Sequence, residues 1–111
     1  MTDYYSKKDL KRFSEVSEGA PELFSKFQAW YGEATGKPGA LSVREKALIG
    51  LAVSHALQCP YCIESFTQKC LESGADLDQM TEAVHVAAAL KAGACLVHGV
   101  QMKNKHDSLS L

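Results

Sequence analysis

Apolar positions along the chain recur every three or four residues, the helical period, and no stretch alternates as a half-buried strand does. Residues 1 to 8 are polar and read as irregular. From Asp9 to Val16, the apolar residues Leu10, Phe13 and Val16 stand three apart and predict a short helix, which Gly19 ends. Pro21 suits the first turn of a second helix reaching about Thr35, where a missing N–H is no loss. On that helix Leu23, Phe24, Phe27, Trp30 and Tyr31 form an aromatic stripe, expected in the core, with a substrate-binding wall as the lesser alternative. Gly36-Lys37-Pro38-Gly39 predicts a turn. Ser42 and Glu45 form a capping box that opens a third helix. Ala47 to Leu57 is apolar on most sides, so this helix is expected to be central and buried, with Gly50 and the alanines letting neighbours approach. Pro60 to Ser73 makes a fourth helix, closed by Gly74. Asp76 or Asp78 caps a fifth, with Leu77, Met80, Val84, Ala87 and Ala88 on its inner face. Gly93 marks either a break between two helices or a tight crossing in a run that continues to about Lys103, and Asn104 to Leu111 reads as frayed. The expectation is an all-α single domain over residues 1–111, a bundle of about six helices, with alanine-rich last helices suited to a subunit interface.

Composition narrows the function classes. Twelve Lys and Arg against thirteen Asp and Glu leave a formal charge of −1, which argues against nucleic acid or an anionic membrane as partner. The first residues lack an apolar signal core, and the longest weakly polar run, Leu48 to Leu57, is too short to span a bilayer. Of four cysteines, Cys59, Cys62 and Cys70 cluster, unlike a secreted disulfide framework. A soluble, cytoplasmic protein is expected, with no membrane and no nucleic-acid partner.

The chemistry concentrates in His55-Ala-Leu-Gln-Cys59-Pro60-Tyr61-Cys62-Ile-Glu64-Ser65-Phe66. Cys-x-x-Cys at a helix start brings two thiols within bonding reach, for a reversible disulfide or for half of a metal site. With a helix beginning at Pro60, Cys59 is its N-cap and Cys62 lies in its first turn, where free N–H groups and the helix dipole are expected to lower a thiol pKa. Thioredoxin-type folds place such a motif after a strand; here it follows a helix.

The string Leu41-Ser-Val-Arg44-Glu45-Lys46 with Leu48-Ile49 and Leu51-Ala52-Val53-Ser54 leads into Cys59-Pro-Tyr-Cys62-Ile, then Leu71, Gly74-Ala75 and Glu82-Ala-Val. This pattern, from about Leu41 to Gly99, resembles the carboxymuconolactone decarboxylase and alkylhydroperoxidase D-like superfamily. The resemblance implies an all-α fold assembled as a dimer, trimer or hexamer. In the peroxidase branch it implies a Cys-x-x-Cys that reduces a small hydroperoxide or disulfide and is recycled by a thiol reductant. The decarboxylase branch generally lacks the pair, so the thiols favour the redox branch. By resemblance Cys62 meets the peroxide and becomes a sulfenic acid, and Cys59 resolves it; helix-start electrostatics alone favours Cys59 as the attacker.

The chain departs from the peroxidase branch at its proton relay. The glutamate twelve residues before the first cysteine is Ala47, and the histidine four after the second is Phe66. Glu45 is engaged in capping and stands about 200° around the helix from Ala47. His55, on one face with both cysteines if the helix continues, is the leading replacement, with a carbonyl-bonded buried histidine as the plain reading. Glu64 is a candidate to orient it, and His85 a further candidate on an otherwise apolar helix. His98 resembles His85, and His106 belongs to the tail. Tyr61 is placed at the site entrance or on the surface. Cys70 and Cys95 read as small buried hydrophobes. No cofactor and no metal is expected.

Three rivals accompany the peroxidase reading. A thiol redox or arsenic-handling accessory protein is one, since Val53 to Cys59 and Val97 to Met102 look like an arsenosugar-associated, peroxidase-like branch. A metal-binding module using Cys59, Cys62, His55 and His85 or His98 is another, although one Cys-x-x-Cys is half a tetrahedral site. A decarboxylase or isomerase is the third.

Overall fold

The structure is a computed structural model and describes residues 5–110; the irregular start expected for residues 1–4 and the last residue of the tail, Leu111, lie outside it. Five helical elements follow one another, a 3₁₀ segment Lys7–Ser17, then α1 Pro21–Gly36, α2 Val43–Ala56, α3 Pro60–Glu72 and α4 Leu77–Leu109, with no strand among the described residues. The all-α expectation holds with one helix fewer.

The first element corrects the sequence reading in kind. A 3₁₀ helix has three residues per turn, so side chains three apart eclipse in a row. Leu10, Phe13 and Val16 have that spacing, and Lys7 and Lys8, expected to be irregular, are its first turn. So long a 3₁₀ run needs tertiary support. It has it: the Phe13 ring meets those of Phe24 and Phe27 edge-on at 5.4 and 6.1 Å.

Helix α2 is the central element, packed against α1, α3 and α4. Its start is the capping box: Ser42 Oγ accepts the Glu45 N–H at 3.0 Å, and Glu45 Oε1 accepts the Ser42 N–H at 2.8 Å. Only Ala47, Leu51 and Ser54 of it are buried, while Ile49 and Val53 stand about half exposed at 49% and 48%. The wholly buried helix expected from its apolar sides is therefore not what a single chain makes. The core is a small cluster of Ala47, Leu51, Phe66, Cys70, Ala75 and Met80, against which Tyr31, Leu48 and Cys62 pack. At Gly50 α2 and α3 approach closely, and a β-carbon there would collide with the Phe66 ring. The aromatic stripe of α1 is not core either. No residue of α1 is buried, and Trp30 is 71% exposed.

Between α2 and α3 the chain reverses through Gln58, which adopts a left-handed φ of 54°. The Gln58 N–H donates to His55 O at 3.0 Å and the Cys59 N–H to Ser54 O at 3.1 Å, which closes α2 and delivers Cys59 to the start of α3. Helix α4 begins with a second capping box, Asp76 with Gln79, and runs for 33 residues. Gly93 does not break it. One glycine costs about 1 kcal/mol against alanine, which neighbouring Ala, Leu and Lys residues carry without a kink. Asn104 to Leu109, expected to fray, continue the helix. On its inner face Met80 and Ala87 are buried, but Leu77 and Ala88 are exposed. Beyond Ala87 the helix runs out past the core, contributing to a long dimension of 59 Å and exposing Leu90, Leu96, Val97, Val100 and Met102. By length and composition α4, and not the shorter run Leu48 to Leu57, is the helix apolar enough to cross a membrane.

Candidate functional site

Helix α3 starts where the sequence predicts. Pro60 occupies the first turn, and Cys59 is the N-cap, in extended conformation at φ −104°, ψ 101°. The Cys62 N–H donates to Cys59 Sγ at 3.3 Å, a sulfur bond with generous geometry because sulfur is large and diffuse. Both thiols are free and half-buried. The backbone has thus directed a donor at one sulfur and turned the other inward, toward the core.

That inward turn sets the chemistry of Cys62. Its thiol is pushed up to about 11, first by burial, then by its hydrogen bond to Cys59 and the charge there; its own backbone hydrogen bond and the Lys69 ammonium pull the other way and lose. The expected lowering of a thiol at the helix start is overturned for Cys62. Desolvation penalises the thiolate more than the helix terminus rewards it.

The sulfurs open onto a cavity of about 610 Å³ between the 3₁₀ segment and the start of α3. Leu10, Phe13 and Val16 make its apolar wall, and Tyr31 comes from α1 to stand beside Cys59 and Cys62. Charged residues at its edge satisfy one another: Arg12 Nε donates to Glu15 Oε2 at 2.7 Å, and Arg12 also approaches Asp9 at 3.6 Å. The segment is moored to α3 by the Tyr61 hydroxyl donating to Asp9 Oδ2 at 3.3 Å and by Lys7 to Glu64 at 3.2 Å. Tyr61 is therefore both in the wall and tied at its hydroxyl, with its ring edge-on to Tyr5 at 4.7 Å. A second, mainly apolar cavity of about 340 Å³ lies toward α2, lined among others by Tyr31, Gly50, Val53, Cys62 and Phe66.

No histidine lines either of these cavities. His55 ends in α2, and the turn at Gln58 breaks the continuous helix that would have set it on one face with the cysteines. Its Nδ1 bonds to Leu51 O at 2.8 Å, and it lines neither cavity. Glu64 is engaged with Lys7 on the outer side of α3. His85 and His98 are exposed on α4, with His98 Nδ1 bonded to Ala94 O at 2.6 Å, and His106 pairs with Asp107 at 3.0 Å. Ala47 and Phe66, at the relay positions, are both buried in the core. Cys70 is wholly buried as expected, whereas Cys95 is exposed. Among the described residues no three His, Cys, Asp or Glu side chains stand together as a metal site, so the set Cys59, Cys62, His55 with His85 or His98 does not assemble within one chain.

Sequence reasoning missed the charged edge of the 3₁₀ segment and preferred the core for Tyr31, whose place in a cavity wall was the lesser alternative. The signal for Tyr31 was the run Phe24, Phe27, Tyr31, which reads as core until Cys62 is seen opposite it.

A helical hairpin that presents a cysteine pair at the first turn of its second helix, backed by a central capped helix, defines a class, and the comparisons agree. The carboxymuconolactone decarboxylase family pattern matches residues 21–102, and the chain belongs to that family. A Paracoccus denitrificans protein described as "Uncharacterized protein 4 in cox locus" is 36% identical over 98 residues, covering 88% of this chain and 87% of its own length. The apo crystal structure of a carboxymuconolactone decarboxylase family protein from Legionella pneumophila superposes with a TM-score of 0.69 at 27% identity, covering 95% of this chain and 93% of that one.

Proposed function

We propose that the protein is a thiol-dependent peroxidase or disulfide oxidoreductase working through the Cys59–Cys62 pair. The observation that carries this reading is the pair itself: two free sulfurs at the start of α3, linked through the Cys62 N–H and opening together onto one apolar cavity. Of the two, Cys59 is the attacking sulfur this geometry favours, since a backbone donor points at it while burial holds Cys62 protonated. Its attack on a small hydroperoxide gives a sulfenic acid and an alcohol. Cys62 then displaces water to form the disulfide, which a thiol reductant reopens. This order is the reverse of the one the family resemblance implies.

Thiol titration before and after a peroxide dose tests the reading. Two thiols per chain should disappear and return with dithiothreitol; peroxide consumption should vanish in Cys59→Ser and in Cys62→Ser and persist in Cys70→Ser. Loss of no thiols, or activity surviving both substitutions, overturns it. The apolar character of Ala47 and Phe66 favours a second reading, a thiol redox or As(III)-binding accessory protein without peroxide turnover; a disulfide that forms with small-molecule disulfides but not with peroxide would select it.

We further infer a homo-oligomer in the cytoplasm. The exposed apolar length of α4 beyond Ala87, together with Ile49 and Val53 of α2, is more than a lone small domain leaves uncovered, and four unpaired thiols suit a reducing compartment. Light scattering that gives a single-chain mass would refute the assembly.

A further inference from the structure

We propose that Tyr31 is the proton donor of this site, giving its phenolic proton to the oxygen that departs from the peroxide and then taking up the proton of Cys62. The assignment rests on the thiol-peroxidase reading above and supplies what Ala47 and Phe66 cannot.

The geometry narrows the choice to Tyr31. It shares the wall of the larger cavity with both sulfurs, and it stands with Cys62 between that cavity and the smaller one. Of the other proton-bearing groups of the larger cavity, Tyr61 is bonded to Asp9 and Arg12 to Glu15 and Asp9, while the Ser65 hydroxyl is a far weaker acid than a phenol. The Tyr31 hydroxyl forms no hydrogen bond among the described residues. The Lys69 ammonium lies 5.3 Å from the centre of its ring. Burial first, and then the charges of Cys62 and Cys59, push the phenol above its ordinary value, so it keeps its proton through the neutral range. Burial raises the Cys62 thiol as well, to about 11, so both groups hold a proton at neutral pH and the phenolate left by the first step is a base placed beside the Cys62 proton.

The steps balance. Cys59, having lost its proton to solvent, attacks the terminal peroxide oxygen. The S–O bond forms, the O–O bond breaks, and the departing oxygen takes the Tyr31 proton and leaves as an alcohol. The phenolate then removes the Cys62 proton, the Cys62 sulfur attacks Cys59, and the S–S bond forms as hydroxide leaves and is protonated from solvent. The peroxide is reduced by two electrons, both from the thiol pair.

The test is Tyr31→Phe, which keeps the ring, its packing and its contact with Lys69, read against oxidants that differ in their need for a proton. With tert-butyl hydroperoxide, whose alkoxide is a poor leaving group, pair oxidation should slow about 100-fold. With perbenzoic acid, whose carboxylate leaves without a proton, the loss should be less than about threefold. Equal losses with both oxidants would show a merely structural tyrosine, and no loss with either would remove it from the site; both overturn the assignment and leave the peroxidase reading standing. A wild-type pair inert to both oxidants would sink the peroxidase reading first, and the assignment with it. Circular dichroism and total thiol titre of Tyr31→Phe should match the wild type, which separates lost chemistry from a lost fold.

Discussion

The acidity of Cys62 gives the sharpest check on how this site is built. With its thiol at about 11 rather than the ordinary 9.0, its thiolate fraction at pH 7 is about one in ten thousand instead of about one in a hundred. Alkylation by iodoacetamide, which needs the thiolate, should then run about 100-fold slower at Cys62 than at an unperturbed thiol, with a rate that climbs until about pH 11. The perturbation is Cys59→Ala, in a background where Cys70 and Cys95 are serine. It removes the hydrogen bond and the charge of Cys59, two of the three influences that raise Cys62, and leaves burial, the largest. The inflection should move down but stay above that of an exposed thiol. Lys69→Met should shift it upward, because the ammonium is an influence that favours the thiolate. Peptide mass spectrometry after timed alkylation across pH 6 to 11 reads each thiol separately. An inflection below neutrality for Cys62 with Cys59 intact would refute the claim that desolvation outweighs the helix terminus here.

Other consequences concern the frame that holds the pair. Gly50→Ala forces a methyl group into the Phe66 ring and should destabilise the fold by about 1–3 kcal/mol, seen as a lower urea midpoint; stabilisation, as expected of an exposed helical glycine, would contradict the close approach of α2 and α3. Gln58→Gly relieves a left-handed backbone at the turn into Cys59 and should stabilise by up to about 1 kcal/mol, and a loss in the thermal midpoint would count against that turn. The Glu45 carboxyl is held below its usual range by the Ser42 N–H. Its folded value lies under the unfolded one, so the stabilisation is present above about pH 4.3 and fades as pH falls through the folded value. The stability difference between wild type and Glu45→Gln should therefore shrink between pH 6 and pH 3; a difference constant over that range would mean that the box does not hold in solution.

Local signals in the chain were read well because local physics decides them. The Ser42–Glu45 box, Pro60 in the first turn with Cys59 capping, Gly74 closing α3 and Asp76 opening α4 each depend on a few residues and their own backbone donors. Where packing decides, the reading failed in specific ways. Gly93 looked like a break because glycine is a weak helix former, yet nothing in the fold pulls α4 apart there. Trp30, Ile49 and Val53 looked like core because they are apolar, yet one chain has too little surface to cover them. The single helix face proposed for His55 and the cysteines required a continuous helix, and the chain reverses at Gln58 instead.

The sequence by itself determined that the protein is helical, where α2, α3 and α4 begin, and that two thiols sit at the mouth of α3, since helix period, caps and proline act over a few residues. Tertiary structure alone decided how far burial raises the Cys62 thiol and that Tyr31 shares a cavity wall with the pair. Those outcomes depend on the distance between side chains far apart in sequence and on the water excluded between them, neither of which a pattern along the chain encodes.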